Sequence, residues 1–319
     1  MLRILMRRME RKASDCIGRT QFGFRKGCGT REAIGMLRII SERNIQHGID
    51  TFVCFVDFEK AFDRVNWTTL MDTLRQIGID WRDRRLIKNL YMNQTATVRI
   101  ENEESQAATV GQGVRQGCLL SPLLFSIYAE RMMKEALEES DEAIKIGGNI
   151  IKDIRFADDQ AMIAHTEEGL QMLMDKLSTT AATFNMKINV KKTKVMRISN
   201  NKDDAMNITI NGQQVEQVTA FKYLGSIISS DGRCTEEIRT RIAMAKKAFM
   251  KRKELLTKGL DIQTKKSIVK SIIWVVALYG SETWTLLEKE VKNIEAFKMW
   301  VLRHVERIAG RTELQMKMY

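Results

Sequence analysis

Carboxylates placed where buried strands end constrain this chain more than any other feature. Residues 51–57 read TFVCFVD, a segment too apolar to lie at a surface, and it ends on Asp57. Residues 150–156 and 160–165 read as a hairpin around Ala157-Asp158-Asp159, with Ile154, Phe156 and Ile163 on its flanks. Desolvating a carboxylate at such a place is costly unless a cation compensates it. If the two segments are neighbouring strands of one sheet, three carboxylates meet at one point. That grouping suits a two-metal phosphoryl-transfer site, because Mg²⁺ takes hard oxygen ligands and a second ion steadies the leaving group. Taken alone, Asp158-Asp159 equally suits an ordinary polar turn.

The charge is distributed in the same sense. A formal +12 over 319 residues divides into +7 for residues 1–49, −7 for 50–170, +3 for 171–232, +8 for 233–270 and +1 for 271–319. Basic arms around an acidic centre fit a polyanion held beside a metal-binding site. A solvated basic face would explain either arm by itself. The longest apolar run, residues 272–279, falls far short of the ~18 residues of a membrane span. The first twelve residues interleave Arg3, Arg7 and Arg8 with apolar side chains, so they lack the core of a signal peptide and read as a helix. Five cysteines, odd in number and never spaced CxxC, indicate neither a disulfide framework nor a zinc finger, which favours a reducing, intracellular setting without membrane.

The length allows one large domain or two to three smaller ones, and no linker, repeat or low-complexity run divides the chain. Residues 31–46 place Ile34, Leu37, Ile39 and Ile40 on one side of a helix. After the strand at 51–57, residues 59–77 carry Phe62, Val65, Leu70, Leu74 and Ile77 at helical spacing, with Glu59 and Asp63 at the exposed helix start. A helix over 81–91 follows. Residues 95–100 and the segment near Val110 read as an antiparallel pair. The glycine-rich GQGVRQG precedes Ser121, placed to cap a helix through Leu137 with Pro122, the only proline, at its first position. Helix is expected over 167–184. INVKKTKVMRIS and NITINGQQV are strand-like, with a hairpin turn at Asn211-Gly212. From Thr235 onward the pattern is helical, broken by glycines. The expected class is α+β.

These segments, in their order, resemble the reverse transcriptase motifs of non-LTR (LINE-type) retrotransposons and of related group II intron enzymes. FVDFEKAFDRVNW resembles the first palm motif, GVRQGCLLSPLLF the next and FADD the third. INVKKTKVM resembles the N-x-x-K-T motif, FKYLG the hairpin that grips the primer end, and QFGFRKGCGTREAI the fingers segment before the palm. The resemblance covers about residues 21–230. It implies a right-hand polymerase: partial fingers over 1–49, a palm of antiparallel sheet with packed helices over 50–232, and a helical thumb-like region over 233–319.

The implied activity is RNA-directed DNA polymerisation, extending a DNA primer on an RNA template with deoxynucleoside triphosphates. Asp57, Asp158, Asp159 and Lys192 are the implied catalytic residues. The metal ligands for two Mg²⁺ (or Mn²⁺) ions are the three carboxylates and the Phe58 carbonyl. Phe62 matches the aromatic gate under the incoming sugar, although its spacing suits a core residue equally well. Gln116 and Gly117 match the pair near the nucleotide, and Arg115 is a candidate phosphate contact. Lys192, matching the lysine beside the departing pyrophosphate, is one of five basic residues within 187–197, which also reads as a solvated face. Phe221, Tyr223, Leu224 and Gly225 match the primer-gripping turn, though Phe221 and Tyr223 also read as core. Arg239 and Lys246 lie on the basic face of the thumb-like helix, a candidate template-primer surface.

Only twenty residues precede Gln21, and none resembles the upstream triphosphate-binding fingers motif of relatives. Arg25 and Lys26 are candidate substitutes. The expectation is a piece of a retrotransposon polyprotein or a host gene descended from one, acting in nucleus or cytoplasm. A catalytically silent nucleic-acid-binding remnant is the alternative, and a nucleotide cyclase a weaker one.

Overall fold

Two helices, α1 (Leu2–Cys16) and α2 (Thr30–Gln46), precede the first strand. β1 (Thr51–Val56) carries TFVCFV, and all six residues are buried. A strand covered on both faces needs a partner along each edge and a layer on each side. Supplying these organises most of the chain. The computed structural model describes residues 1–92, 94–138, 144–146, 148–200 and 205–306.

After β1 the chain forms a 3-10 turn (Ala61–Arg64), α3 (Trp67–Gln76) and α4 (Trp81–Tyr91). The single helix expected over 59–77 is thus broken at Val65-Asn66. Asn66 starts a new helix there, its side chain accepting from the Thr69 amide at 3.0 Å. Two small exposed ladders follow, β2 (Thr95–Ala96) with β5 (Ala108–Thr109) and β3 (Arg99–Ile100) with β4 (Glu103–Glu104). The antiparallel pairing expected near 95–110 is present, but in two-residue pieces. α5 (Ser121–Leu137) begins with Ser121 already helical and Pro122 second. Ser121 does not cap it: Leu120 occupies the cap position, and a turn from the Cys118 carbonyl to the Ser121 amide leads in.

β6 (Ile144–Ile146) pairs with β7 (Asn149–Ile151), and β8 (Asp153–Phe156) forms a hairpin with β9 (Asp159–Ala164). α6 (Glu167–Thr183) leads to β10 (Lys194–Ile198). The strand expected over 188–199 starts late, because residues 189–193 are a turn. β11 (Thr209–Ile210) and β12 (Gln213–Gln214) flank the Asn211-Gly212 turn, and β13 (Glu216–Gln217) adds a short parallel edge to β10. The main sheet runs β13-β10-β1-β9-β8, antiparallel except for that edge.

Phe52, Cys54 and Val56 share a core with Met162, Ala164 and Val195 and with the apolar faces of α5 and α6. Val53 and Phe55, on the opposite face, are buried as well. α2 packs beside β8, burying Ile34, Leu37 and Ile40. Ile39, expected on that face, is 52% exposed, because it sits a full 100° step from Ile40.

The chain divides into two compact units, Met1–Leu224 with Ser230–Gly232, and Gly225–Ser229 with Arg233–Tyr319. At the division β14 (Ala220–Tyr223) and β15 (Ser226–Ser229) flank Leu224 and Gly225, whose φ values are 49° and 83°. The second unit is helical: α7 (Thr235–Met250), α8 (Lys253–Thr257), α9 (Ile262–Ile268), a π-helical turn (Val269–Trp274), α10 (Val275–Ala277) and α11 (Glu288–Glu306). Phe249, Leu256, Ile273, Phe297 and Val301 are among its core residues. The helical expectation for 307–319 lies outside the described residues. None of the five cysteines forms a disulfide. Among the described residues no helix is long and apolar enough to cross a membrane.

Candidate active site

The sheet register brings the expected carboxylates together. Val56 stands opposite Gln160, so Asp57, one residue on, falls beside Asp159. Phe156 opposite Asp159 leaves Ala157 and Asp158 as a two-residue turn. Ala157 has φ 59°, which costs a residue with a side chain on the order of 1 kcal/mol or more. Withdrawal from water, and then the charge of Asp57, raise the Asp158 carboxyl above its ordinary value. Asp159 is pushed up to about 6, by withdrawal from water and then by Asp158 and Asp57. Its carboxylate lies at an exposed residue, so the crowding of charge matters there alongside the packed chain behind it. Among the described residues, no Lys or Arg forms an ion pair with any of the three.

Among the described residues no three His, Cys, Asp or Glu groups form a ready-made metal cage. Mg²⁺ requires less, since one or two carboxylates hold it while waters and substrate phosphates complete its shell. Carboxyls such as Asp158 and Asp159, raised by burial and by neighbouring negative charge with no cation paired to them among the described residues, are those a divalent ion relieves. The donor set therefore fits such an ion.

Asp57 is held by its backbone. Its N–H donates to Thr193 Oγ1 at 3.3 Å, and its carbonyl accepts from the Asn189 amide at 2.8 Å. Phe58 bridges to Ile188, and the Glu59 amide donates to the Lys187 carbonyl at 2.8 Å. The Asn189 carbonyl accepts from the amides of Lys192 and Thr193, folding the turn that carries Lys192, which is exposed. The Asn189 side chain also accepts from the Lys192 amide at 3.4 Å and the Thr193 hydroxyl from the Asp57 amide, which gives an Asn and a Thr a use on either side of that lysine. Glu59 is not a helix-end carboxylate: it pairs with Lys187 at 3.0 Å and Arg64 at 3.4 Å.

A loop is docked on the 3-10 turn that follows. The Val114 amide donates to the Phe62 carbonyl and the Gly113 amide to the Val65 carbonyl, each at 2.8 Å. A Cβ on Gly113 would lie 2.9 Å from the Asp63 carbonyl oxygen, so only glycine permits this approach. The loop then presents Arg115, Gln116 and Gly117, all exposed. Phe62 stacks on Phe125 at 4.3 Å and meets the edge of Phe24 at 6.5 Å. It is half-buried, with core packing on one side and open surface on the other. Arg25 and Lys26 are exposed, and Arg25 donates to the Gly18 carbonyl at 3.3 Å.

Phe221 stacks on Phe55 at 4.3 Å. Tyr223 is 2% exposed and donates to the Ile154 carbonyl at 3.1 Å, so its ring supports the sheet and leaves no surface for a strand to touch. Burial, then the charges of Asp159 and Asp153, raise its phenol. In the helical unit Arg239 is exposed, and the Lys246 ammonium lies 5.5 Å above the Trp300 ring.

Behind the Asp158 turn lies a group that sequence reasoning missed. Arg155, 3% exposed, pairs with Glu130 at 3.1 Å and with Asp153. Thr20 donates to Asp153 at 3.1 Å, and the fully buried Gln21 accepts from the Gly23 and Ala157 amides. A charge midway along the apolar IRF strand was the available signal for Arg155. Gln21 offered none.

Residues 1–228 match the family model described as reverse transcriptase (RNA-dependent DNA polymerase). Over 322 aligned residues the chain is 24% identical to the RNA-directed DNA polymerase from mobile element jockey of Drosophila melanogaster, covering 93% of this chain and 32% of that protein. It is 28% identical over 307 residues to a probable RNA-directed DNA polymerase from transposon X-element of the same organism, covering 89% and 31%. The chain thus spans about a third of these relatives. Among solved structures, apo telomerase from Candida tropicalis truncated of its C-terminal domain superposes with a TM-score of 0.53 at 16% identity, over 72% of this chain and 44% of that one. At that identity the likeness concerns the fold.

Proposed function

The chain belongs to the reverse transcriptase family, related to the enzymes of non-LTR retrotransposons, and on that premise we propose that it is an RNA-directed DNA polymerase. It adds deoxynucleotides to a primer 3′-hydroxyl on an RNA template. The supporting observation is the group of three carboxylates, Asp57, Asp158 and Asp159, gathered at strand ends without a cationic partner among the described residues.

Asp57, Asp158, Asp159 and the Phe58 carbonyl would hold two Mg²⁺ or Mn²⁺ ions, which when bound would activate the hydroxyl and neutralise charge on the phosphates. The residues do the rest. Lys192 gives a proton or a positive charge to the departing pyrophosphate. Phe62 underlies the sugar and excludes a 2′-hydroxyl, while Arg115, Gln116 and Gly117 line the nucleotide, with Arg25 and Lys26 toward its phosphates. Residues 1–49 serve as partial fingers, 50–232 as palm and 233–319 as thumb. Phe221, Leu224 and Gly225 guide the primer end, with Arg239 and Lys246 along the duplex backbone.

Primer extension on poly(rA) with oligo(dT) tests the reading. Extension by the wild-type chain, and none by the double variant Asp158→Ala with Asp159→Ala, supports it. If neither extends while both bind RNA–DNA duplex with steep salt dependence, the chain is a silent nucleic-acid-binding remnant.

A further inference from the structure

We propose that Gln21 is a positioning residue for the Asp158-Asp159 turn, acting through the Ala157 amide. The inference rests on the polymerase reading for its catalytic consequence, though not for its geometry. Gln21 is fully buried, and Oε1 accepts from the Gly23 amide at 2.8 Å and the Ala157 amide at 3.2 Å. Two donors facing one side-chain atom fix that atom as the oxygen. The Ala157 amide belongs to the residue at φ 59°, where the backbone has most to gain by relaxing. A buried acceptor supplied from outside the hairpin opposes that relaxation.

The surrounding chain is built to bring the acceptor there. The Phe22 amide donates to the Arg155 carbonyl at 2.8 Å and the Arg155 amide to the Thr20 carbonyl at 2.9 Å, so residues 20–22 are tied to β8 by a single parallel bridge at Gln21 and Arg155. At the next residue a Cβ on Gly23 would come within 2.3 Å of the Ala157 nitrogen and 2.9 Å of the Phe156 carbonyl carbon. Only glycine allows the segment to close on the turn. Thr20, bonded to Asp153, ties the same segment to the buried Arg155 group.

The segment continues directly into Arg25 and Lys26. One short stretch thus joins two exposed cations to the turn that carries two of the carboxylates, and it fixes the spacing between triphosphate contacts and metal ligands. Its displacement moves both.

Two variants test this: Gln21→Met, which keeps length and loses the acceptor, and Gly23→Ala, which forces the segment off the turn. In Gln21→Met we expect hydrogen exchange at the Ala157 amide to speed up about tenfold, the equivalent of one lost hydrogen bond. We expect kcat for primer extension to fall about tenfold to a hundredfold, with KM for the deoxynucleotide little changed and the melting temperature lowered by about 2–4 °C. Gly23→Ala, which displaces the segment together with Arg25 and Lys26, is expected to lower kcat more strongly and to raise KM for the deoxynucleotide as well. Unchanged Ala157 exchange in Gln21→Met overturns the clamp. Faster exchange with wild-type kcat overturns the positioning role while leaving the polymerase reading intact. If the wild-type chain does not extend, the polymerase reading fails and the catalytic half of the proposal with it, while exchange still decides the clamp.

Discussion

Asp57 and the Asp158-Asp159 pair stand at two strand ends of one sheet, and they are held in opposite ways. Asp57 ends an ordinary strand and is fixed by its own backbone, bonded on both sides to residues 189–193, which come later in the chain. Asp158 sits on a two-residue turn whose first residue is left-handed, and the support there is a buried glutamine and an arginine between two carboxylates. Much of that support comes from residues 20–23, early in the chain. Regular hydrogen bonding fixes one carboxylate. The other depends on side chains that must be desolvated and paired, so a substitution behind Asp158 carries the larger stability cost.

In the chemistry itself the two ends are expected to be equivalent. Asp57→Asn and Asp158→Asn should each lower kcat for primer extension by about 10³, the order of loss when a group that stabilises transition-state charge is removed. Both variants should still fold. A variant that kept most of its activity would show that only one end holds the reacting phosphates.

Stability should separate the ends. Arg155→Met leaves Asp153 buried without its cation and Glu130 with only the exposed Lys134 at 3.8 Å, and should cost about 3 kcal/mol in urea unfolding. Thr193→Val, nearly isosteric at a fully buried site, removes only the acceptor for the Asp57 amide and should cost about 1 kcal/mol. Equal costs, or a larger one at Thr193, would break the comparison.

The same contrast explains what could be read in the sequence. The carboxylate-ended strands, the helix over 81–91 and the Asn211-Gly212 turn follow from local pattern, because periodicity and turn chemistry are local properties. The break at Val65-Asn66 was missed because the hydrophobic spacing runs on through it while the Asn66 cap restarts the helix. Tyr223 reads both as core and as part of the primer-gripping turn, and only its burial against the sheet decides for core, because alternation does not say which face of a short hairpin meets the sheet. The support of Asp158 was hidden for another reason: Gln21 and Ala157 are 136 residues apart, and no spacing rule links a buried amide to a turn at that separation.

The last prediction concerns pH. Asp159, ordinarily near 3.8, is held at about 6 in the folded chain by withdrawal from water and then by the charges of Asp158 and Asp57. Between those two values the folded state binds more protons than the unfolded one, so in metal-free buffer stability falls as pH rises from about 4 to 6 and levels off above that window. Asp158 is shifted in the same direction, so Asp159→Asn should reduce the slope without abolishing it. Urea midpoints at several pH values would measure this. A midpoint for Asp159→Asn that falls with pH as steeply as the wild type's would mean that Asp159 does not share the charge cluster, and that Asp57 and Asp158 alone form the acidic site.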